Sequence, residues 1–220
     1  MTQNNNKKPF EAMVTPVFRA SYAAVFQASM PKGETDEKKA KYGVTMLFDM
    51  KNPEVAKGVA EMKAFALRAG VAAWGEDTSK WPHIEHKLFR MGDTPDKKDS
   101  DGNWKQGFGP GVEFCKATSA LYKKNGEKRM PPGIVDVFGK SIIMPNEFYS
   151  GCYARAKISV GTYDYMGKRG ISFYLVSLRK ENDGEPFVAK HNAADDFEGI
   201  PVPAGAVAGS PAMAGGTSPF

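Results

Sequence analysis

The 220-residue sequence has few of the residues that metal sites and disulfides require. It contains two cysteines and three histidines. Only His83 and His86 are closely spaced, whereas zinc sites draw such pairs from two sides. Cys115 and Cys152 lie in strand-like runs, which predicts buried free thiols rather than a disulfide. We therefore expect no metal and no cofactor.

Long apolar segments are also absent. No apolar run approaches the roughly 20 residues that a membrane-spanning helix needs. The opening stretch MTQNNNKKPF lacks the apolar core of a secretory signal. The sequence therefore predicts a cytoplasmic protein that has no membrane partner.

Catalytic and nucleotide-binding motifs are missing as well. The segment GIVDVFGKS (133–141) places five residues between its first glycine and Gly-Lys-Ser, whereas a phosphate-binding loop needs four. Those five residues are strand formers, and no helix pattern follows Ser141. No serine or cysteine sits in a nucleophile elbow, and the acids scatter through loops and turns. The sequence therefore predicts a protein that is not an enzyme.

The charge is distributed unevenly along the chain. The formal net charge is +5, but residues 193–220 contain three acids and no lysine or arginine. The first 192 residues therefore hold 30 basic against 22 acidic residues, a net charge of +8. A basic body of this kind favours a polyanionic partner.

Composition divides the chain into three regions. Residues 1–9 are polar and are predicted to be a mobile N-terminus. Residues 193–220 are rich in alanine, glycine and proline, which is typical of a disordered tail. Residues 10–192 are predicted to form one domain. Within it, residues 75–111 show no clear periodicity and are predicted to be a long functional or mobile loop.

The domain is predicted to be mainly β, with one inserted α-helix. Alternation and β-branched residues predict strands at 15–29, 41–49, 112–122, 133–143, 149–165 and 171–180. Asn52 and Pro53 suit the first positions of a helix over 53–73, whose apolar residues recur at spacings of three and four. Antiparallel strands, one helix and long loops are typical of a small barrel like the oligonucleotide-binding (OB) fold. An isolated sheet with a helix on one side is the alternative.

The stretch YSGCYARAKISVGTYDY (149–165) carries the most informative pattern. One face of the predicted strand holds small or β-branched residues suited to a core, namely Cys152, Ala154, Ala156, Ile158 and Val160. The other face carries rings and cations, namely Tyr149, Tyr153, Arg155, Lys157, Tyr163 and Tyr165. Neighbours on one face repeat about every 6.6–7 Å, so rings there could stack on unpaired bases while cations neutralise phosphates. A solvated surface on which tyrosines pair across strands is the alternative.

Further rings and cations accompany this strand. Lys168 and Arg169 are predicted in the turn that leaves it, where a loop could close over nucleic acid. Others lie on the first two strands or in the long loop, namely Arg19, Tyr22, Lys41, Trp81 and Trp104. Such mixtures suit tracking of a backbone with little reading of bases. The pattern therefore predicts a non-catalytic protein that binds single-stranded nucleic acid, and the family resemblance given below implies that this is single-stranded DNA. An RNA-binding or strand-annealing module is one alternative, and a structural or assembly protein that uses the same face for protein contacts is another.

Five segments occur in an order that resembles a known family. They are RASYAAVF (19–26), KYGVTMLF (41–48), GIVD (133–136), EFYSGCYARAKIS (147–159) and GISFYLVSLRKENDGEPF (170–187). Together they are similar to a family of bacteriophage single-stranded-DNA-binding proteins, over roughly residues 10–190. The pieces YSGCYARA and DGEPF are the most specific. The resemblance implies an OB fold that coats single-stranded DNA in phage replication, recombination or repair, without enzymatic activity.

The end of the chain invites a separate comparison. Many prokaryotic and phage single-strand binders end in a disordered acidic segment whose terminal aromatic residue docks on partner enzymes. This chain also ends in an aromatic residue, Phe220, but its three acids lie more than twenty residues upstream. The resemblance implies docking of replication or recombination enzymes through Phe220, and a passive linker is the alternative.

Overall fold

The part of the chain that the structure describes contains eight strands and one α-helix. The strands follow alternating sequence patterns, and the helix follows one amphipathic segment. A computed structural model describes residues 11–84, 87–165 and 168–187, all within one compact unit, Met1–Val188. The strands are β1 (Ala12–Val14), β2 (Phe18–Ser29), β3 (Lys41–Asp49), β4 (Arg90–Met91), β5 (Val112–Ala120), β6 (Gly133–Val135), β7 (Tyr153–Tyr165) and β8 (Lys168–Asn182). The helix α1 (Pro53–Trp74) follows β3.

The two predicted terminal segments, 1–9 and 193–220, lie outside the described residues. The proposed docking residue Phe220 lies there too. The predicted domain boundaries therefore stay predictions.

Five of the strands close into a barrel. β2 pairs with β3, β3 with β5, and β7 with both β2 and β8, all in antiparallel fashion. The circuit closes where β5 pairs with β8, and that pair is parallel. A five-stranded Greek-key barrel is the architecture of the OB fold. The predicted fold class is confirmed, although one pairing of the barrel is not antiparallel. β1 and β6 extend the sheet beside β7 and β8, and β4 extends it beside β5.

Inward side chains of the barrel strands form the main core. The predicted inward face of β7 is confirmed, because Cys152, Ala154, Ala156, Ile158 and Val160 are all buried. Their small size leaves room for larger rings from other strands, such as the edge-to-face pair Phe18 and Phe48, whose centroids are 6.1 Å apart. Both cysteines are buried and unpaired, as predicted, and burial raises the pKa of each thiol.

The helix α1 begins and packs as the sequence predicts. The Asn52 side chain accepts hydrogen bonds from the backbone N–H groups of Glu54 (3.0 Å) and Val55 (3.4 Å), and Pro53 follows it. The apolar stripe Val55, Val59, Met62, Phe65 and Ala66 joins the main core. Within the described ranges, no helix is both long enough and apolar enough to cross a membrane.

Several predicted strand boundaries are wrong because turns interrupt the alternation. β7 begins at Tyr153, since residues 149–152 form a turn in which Gly151 has φ +116°. β6 ends at Val135, because the Asp136 side chain accepts hydrogen bonds from two backbone N–H groups of the turn that follows. The predicted loop 75–111 contains the short strand β4 and two 3-10 turns.

Candidate nucleic-acid interface

The outer surface of β3 and β5 is assembled by the same alternation that builds the core. Strand pairing sets Leu47 opposite Phe114, Thr45 opposite Lys116, Gly43 opposite Thr118 and Lys41 opposite Ala120. The neighbouring residues Val44, Met46, Cys115 and Ala117 are buried in the core. The set that points away from this core is hereafter called the β3–β5 face, and it comprises Lys41, Gly43, Thr45, Leu47, Phe114, Lys116 and Thr118. Its two lysines are exposed, whereas Leu47 and Phe114 are buried in a second cluster together with Phe108.

Positive charge is concentrated on this face. Burial lowers the pKa of the Lys116 ammonium, and the positive charges of Lys41 and Arg90 lower that pKa further. Arg90, on β4, lies opposite Phe114 with its guanidinium 4.6 Å from the ring centroid. Among the described residues, no acid forms an ion pair with any of these three cations. A bound anion would therefore relieve their mutual repulsion.

An exposed ring stands at the rim of the β3–β5 face. Tyr22 is 61% exposed and has φ +46°, at an irregularity in the pairing of β2 with β3. Its ring lies 6.5 Å from that of Phe108, which packs edge to face on Phe114 at 5.2 Å. A left-handed backbone is strained for tyrosine and is often found at functional sites. Tyr22 is thus held outward on a packed aromatic support.

A cation also lies against that aromatic support. The Lys97 Nζ is 5.6 Å from the Phe108 centroid and 5.1 Å from the Phe114 centroid. It also pairs with Asp96, whose carboxyl pKa this contact lowers to about 2. Lys97 is therefore already paired with an acid at contact distance, whereas the positive charge of Arg90 acts on Asp96 only from farther away and lowers its pKa slightly further.

The predicted residue Arg19 joins three segments of the chain. Its Nε donates to the Gly151 carbonyl (3.1 Å), and its Nη2 donates to the Glu185 carbonyl (2.9 Å). Its guanidinium lies 4.5 Å from the ring centroid of Phe187 and 5.8 Å from that of Tyr153. The segment 183–187, hereafter the strap, is thereby held against the start of β7. Much of the donor capacity of Arg19 is used within the fold.

Tyr149 also holds the strap rather than lying on the predicted face of β7. It precedes that strand and is half-buried. Its hydroxyl donates to the Asp183 carboxylate (2.8 Å) and accepts from the Gly184 N–H (3.3 Å). Burial raises the pKa of this hydroxyl, and the bond to Asp183 raises it further. The sequence around β7 could not show this, because Asp183 lies beyond the end of β8.

The predicted face of β7 does present a ring and cations to the outside. Tyr153 is 39% exposed, and Lys157 is exposed too. Arg155 is more restrained, because its Nη1 donates to the Thr15 carbonyl (3.1 Å) and its Nε lies 3.5 Å from a Glu181 oxygen. Glu181 comes from β8 and also pairs with Arg179 (2.7 Å). An acid from the adjacent strand thus partly neutralises a face that looks purely basic in sequence.

The end of β7 and the start of β8, which lie side by side, differ from the prediction in one respect. Lys168 and Arg169 begin β8 rather than occupying a turn. Arg169 forms an ion pair with Asp164 at 2.6 Å. The Tyr163 ring lies over Gly170, its partner in register, where any side chain would collide with it. Tyr165 pairs with Lys168 through the backbone, and its side chain lies outside what the structure describes.

The two predicted tryptophans occupy different places. The Trp81 Nε1 donates to the Gly75 carbonyl (2.8 Å), and its ring packs on Trp74 at 5.3 Å, at the end of α1. That position is part of the fold. Trp104 packs against Gly109, next to Phe108 in the chain, and the Lys98 Nζ lies 4.7 Å from its ring. Trp104 therefore belongs to the loop segment that supports the rim of the β3–β5 face.

Lys116 is the clearest example of a candidate site residue that the sequence analysis did not include. A signal for it exists in VEFCKATSA (112–120). If Cys115 and Ala117 point inward, alternation sends Phe114, Lys116 and Thr118 outward. Arg90 is recognisable in sequence as one of the cations of the segment 75–111, but no periodicity there shows that it would lie opposite Phe114. Among the described residues, no group of three or more histidine, cysteine or acidic side chains could hold a metal ion.

Comparison with known protein families relates the chain to a phage protein. The family model for the single-stranded-DNA-binding protein of Enterobacter phage Enc34 matches residues 11–207. The chain belongs to this family. The resemblance noted in the sequence is thereby confirmed. None of the curated proteins is similar enough to count as a match.

Solved structures share the fold at low sequence identity. The Enc34 protein in complex with single-stranded DNA is 17% identical, with a TM-score of 0.56, and the match covers 80% of this chain and 89% of that one. The gp2.5 single-stranded-DNA-binding protein of bacteriophage T7 is 16% identical, also with a TM-score of 0.56, and the match covers 83% and 97%. Because both identities are so low, these similarities establish the fold alone.

Proposed function

We propose that this protein binds single-stranded DNA without catalysis and with little sequence preference. One observation carries the proposal. Lys116 lies near both Lys41 and Arg90, none of the three forms an ion pair with an acid among the described residues, and the outward ring of Tyr22 stands at the rim of the same face. The family supports it, since an Enc34 relative is described as a complex with single-stranded DNA.

The proposed mechanism uses two properties of an unpaired strand. Its phosphates are neutralised by the three cations, which releases condensed counterions. Its exposed base faces stack on rings such as Tyr22, which contributes about 1–3 kcal/mol per base. Duplex DNA hides those base faces, so binding shifts the strand equilibrium towards separated strands by mass action. Neither contact reads base identity, which accounts for the low sequence preference.

The residues predicted on β7 take a secondary place in the proposal. Tyr153 and Lys157 remain accessible for a strand that extends beyond the β3–β5 face, whereas Arg155 is shared with Glu181. We assign the protein to phage DNA replication or recombination in the host cytoplasm, as part of the same proposal. Docking of partner enzymes through Phe220 stays a prediction.

Tryptophan fluorescence offers a test of the proposed function. Titration with a dT oligonucleotide should change the emission, mainly through Trp104, because Trp74 and Trp81 contact each other at the end of α1. The change should be lost in Trp104→Phe. Affinity for dT should exceed affinity for a duplex of equal length.

The same titration distinguishes the alternatives. Tighter binding of a matched RNA oligonucleotide would indicate an RNA-binding module instead. Absence of binding to every nucleic acid would favour a protein that uses these faces for assembly, and either result would refute the proposal.

A further inference from the structure

Tyr174 on β8 is an exposed ring that has no part in the contacts described so far. It is 39% exposed, whereas its neighbours Phe173 and Leu175 are buried in the core. Among the described residues, no hydrogen bond, ion pair or ring contact involves its side chain. The strand is thus fixed from inside while the ring remains available outside. This differs from Tyr153, which is equally exposed but lies beneath the Arg19 guanidinium.

Strand pairing places Tyr174 in the middle of a row that crosses the barrel. Its partner on β5 is Thr118, and its partner on β7 is Ser159. The row continues to Gly43 on β3 and to Ala12 on β1. Every member except Tyr174 has a small side chain or none. The row therefore forms a smooth path that leads from the β3–β5 face to β7, with a single ring standing in it.

Cations border this path. Lys41 lies two residues before Gly43 on β3, and Lys157 lies two residues before Ser159 on β7. Because β3 and β7 run in the same direction, both lysines lie on the same side of the row. They are three strand spacings apart, or about 14 Å. Lys116 lies on the other side, since β5 runs in the opposite direction. Within the described ranges, Lys157 forms no ion pair.

We propose that bound single-stranded DNA continues beyond the β3–β5 face along this row, stacking a base on Tyr174 and placing a phosphate beside Lys157. The inference rests on the proposed function and enlarges its site. A narrow path with one ring and cations at its edges fits a polynucleotide chain. A folded protein partner would need a broad patch with a buried apolar centre. Beside the row, Val14 and Val176 are exposed apolar side chains, and two valines are too few to supply one.

Oligonucleotide length separates this extension from the primary site. An oligonucleotide of about four nucleotides should occupy the β3–β5 face alone, and one of about twelve should also cross β8. Tyr174→Ser should weaken binding of the longer one about tenfold and leave binding of the shorter one unchanged. Lys157→Gln should reduce the log–log salt slope by about 0.7, again only for the longer one.

A control variant on the same strand is Val176→Ser, because Val176 is 46% exposed but carries no ring. It should bind both oligonucleotides like the parent, and all three variants should keep the parent melting temperature. Equal binding of the longer oligonucleotide by parent and Tyr174→Ser would overturn the extension and leave the proposed function intact. A parent protein that bound neither oligonucleotide would overturn both.

Discussion

Replacing Lys41, Arg90 and Lys116 together by glutamine is expected to weaken binding of single-stranded DNA about a hundredfold at low salt. Each cation is assigned one phosphate, so the log–log slope of affinity against salt should become shallower by about 2. The measurement is a fluorescence titration with a dT oligonucleotide at several salt concentrations.

This triple variant should fold about as well as the parent. The lowered pKa of Lys116 means that its charged form is destabilised in the folded protein. At neutral pH that cost is present in full, and it fades as the pH rises towards the ordinary lysine value of 10.5. Relief of that cost opposes the loss of the Arg90 contact with the Phe114 ring, so the melting temperature should change by no more than about 2 °C.

A control variant separates local contacts from overall charge. Lys57, Lys80 and Lys140 are exposed lysines that are not part of the β3–β5 face. Changing these three to glutamine lowers the net charge by the same amount. The control should keep most of the affinity and most of the salt slope. If both variants lost affinity equally, binding would depend on net charge and not on this face.

The largest effect on stability is expected for Gly151→Ala. Gly151 has φ +116°, and a Cβ atom there would collide with the Glu185 carbonyl of the strap. Left-handed strain and the collision should together cost about 2–4 kcal/mol. That cost corresponds to a fall of about 5–12 °C in the melting temperature of a chain of this size. Thermal unfolding followed by circular dichroism would measure it.

Two further glycines separate the causes of that loss. Gly126 has φ +84° but open space around the position of a Cβ atom, so Gly126→Ala should show the backbone cost alone, about 1–2 kcal/mol. At Gly184 the backbone is ordinary, but a Cβ atom would collide with the Gly151 carbonyl. Gly184→Ala should therefore show the collision alone, about 1–3 kcal/mol. If Gly151→Ala were no worse than Gly126→Ala, the strap would not be tightly packed there.

Much of the fold could be predicted because local patterns encode it. The inward residues of β7 and the start of α1 depend only on alternation, helical spacing and capping, which neighbouring residues determine. Ends of strands were harder to predict. The break before Tyr153 depends on contacts between Gly151 and the strap, more than thirty residues away.

The candidate site was harder to predict than the fold, because it depends on which strands become neighbours. In sequence, Arg155 looks as free as Lys157, but Glu181 of β8 forms an ion pair with Arg155 and none with Lys157. Tyr149 looks like a stacking ring until Asp183 is brought to its hydroxyl. Conversely, Lys116 gains significance only when Lys41 and Arg90 are placed beside it. The segments YSGCYARA (149–156) and DGEPF (183–187) pack against each other, a contact that the linear sequence does not show.

Photocrosslinking would test the location of the bound strand most directly. A dT oligonucleotide that carries 5-iodouracil forms crosslinks to aromatic side chains in contact with its bases, and mass spectrometry identifies the attached residue. We predict attachment at Tyr22 or Trp104, at the rim of the β3–β5 face. Attachment confined to Trp74, Trp81 and other rings beside α1 would show that the strand lies elsewhere.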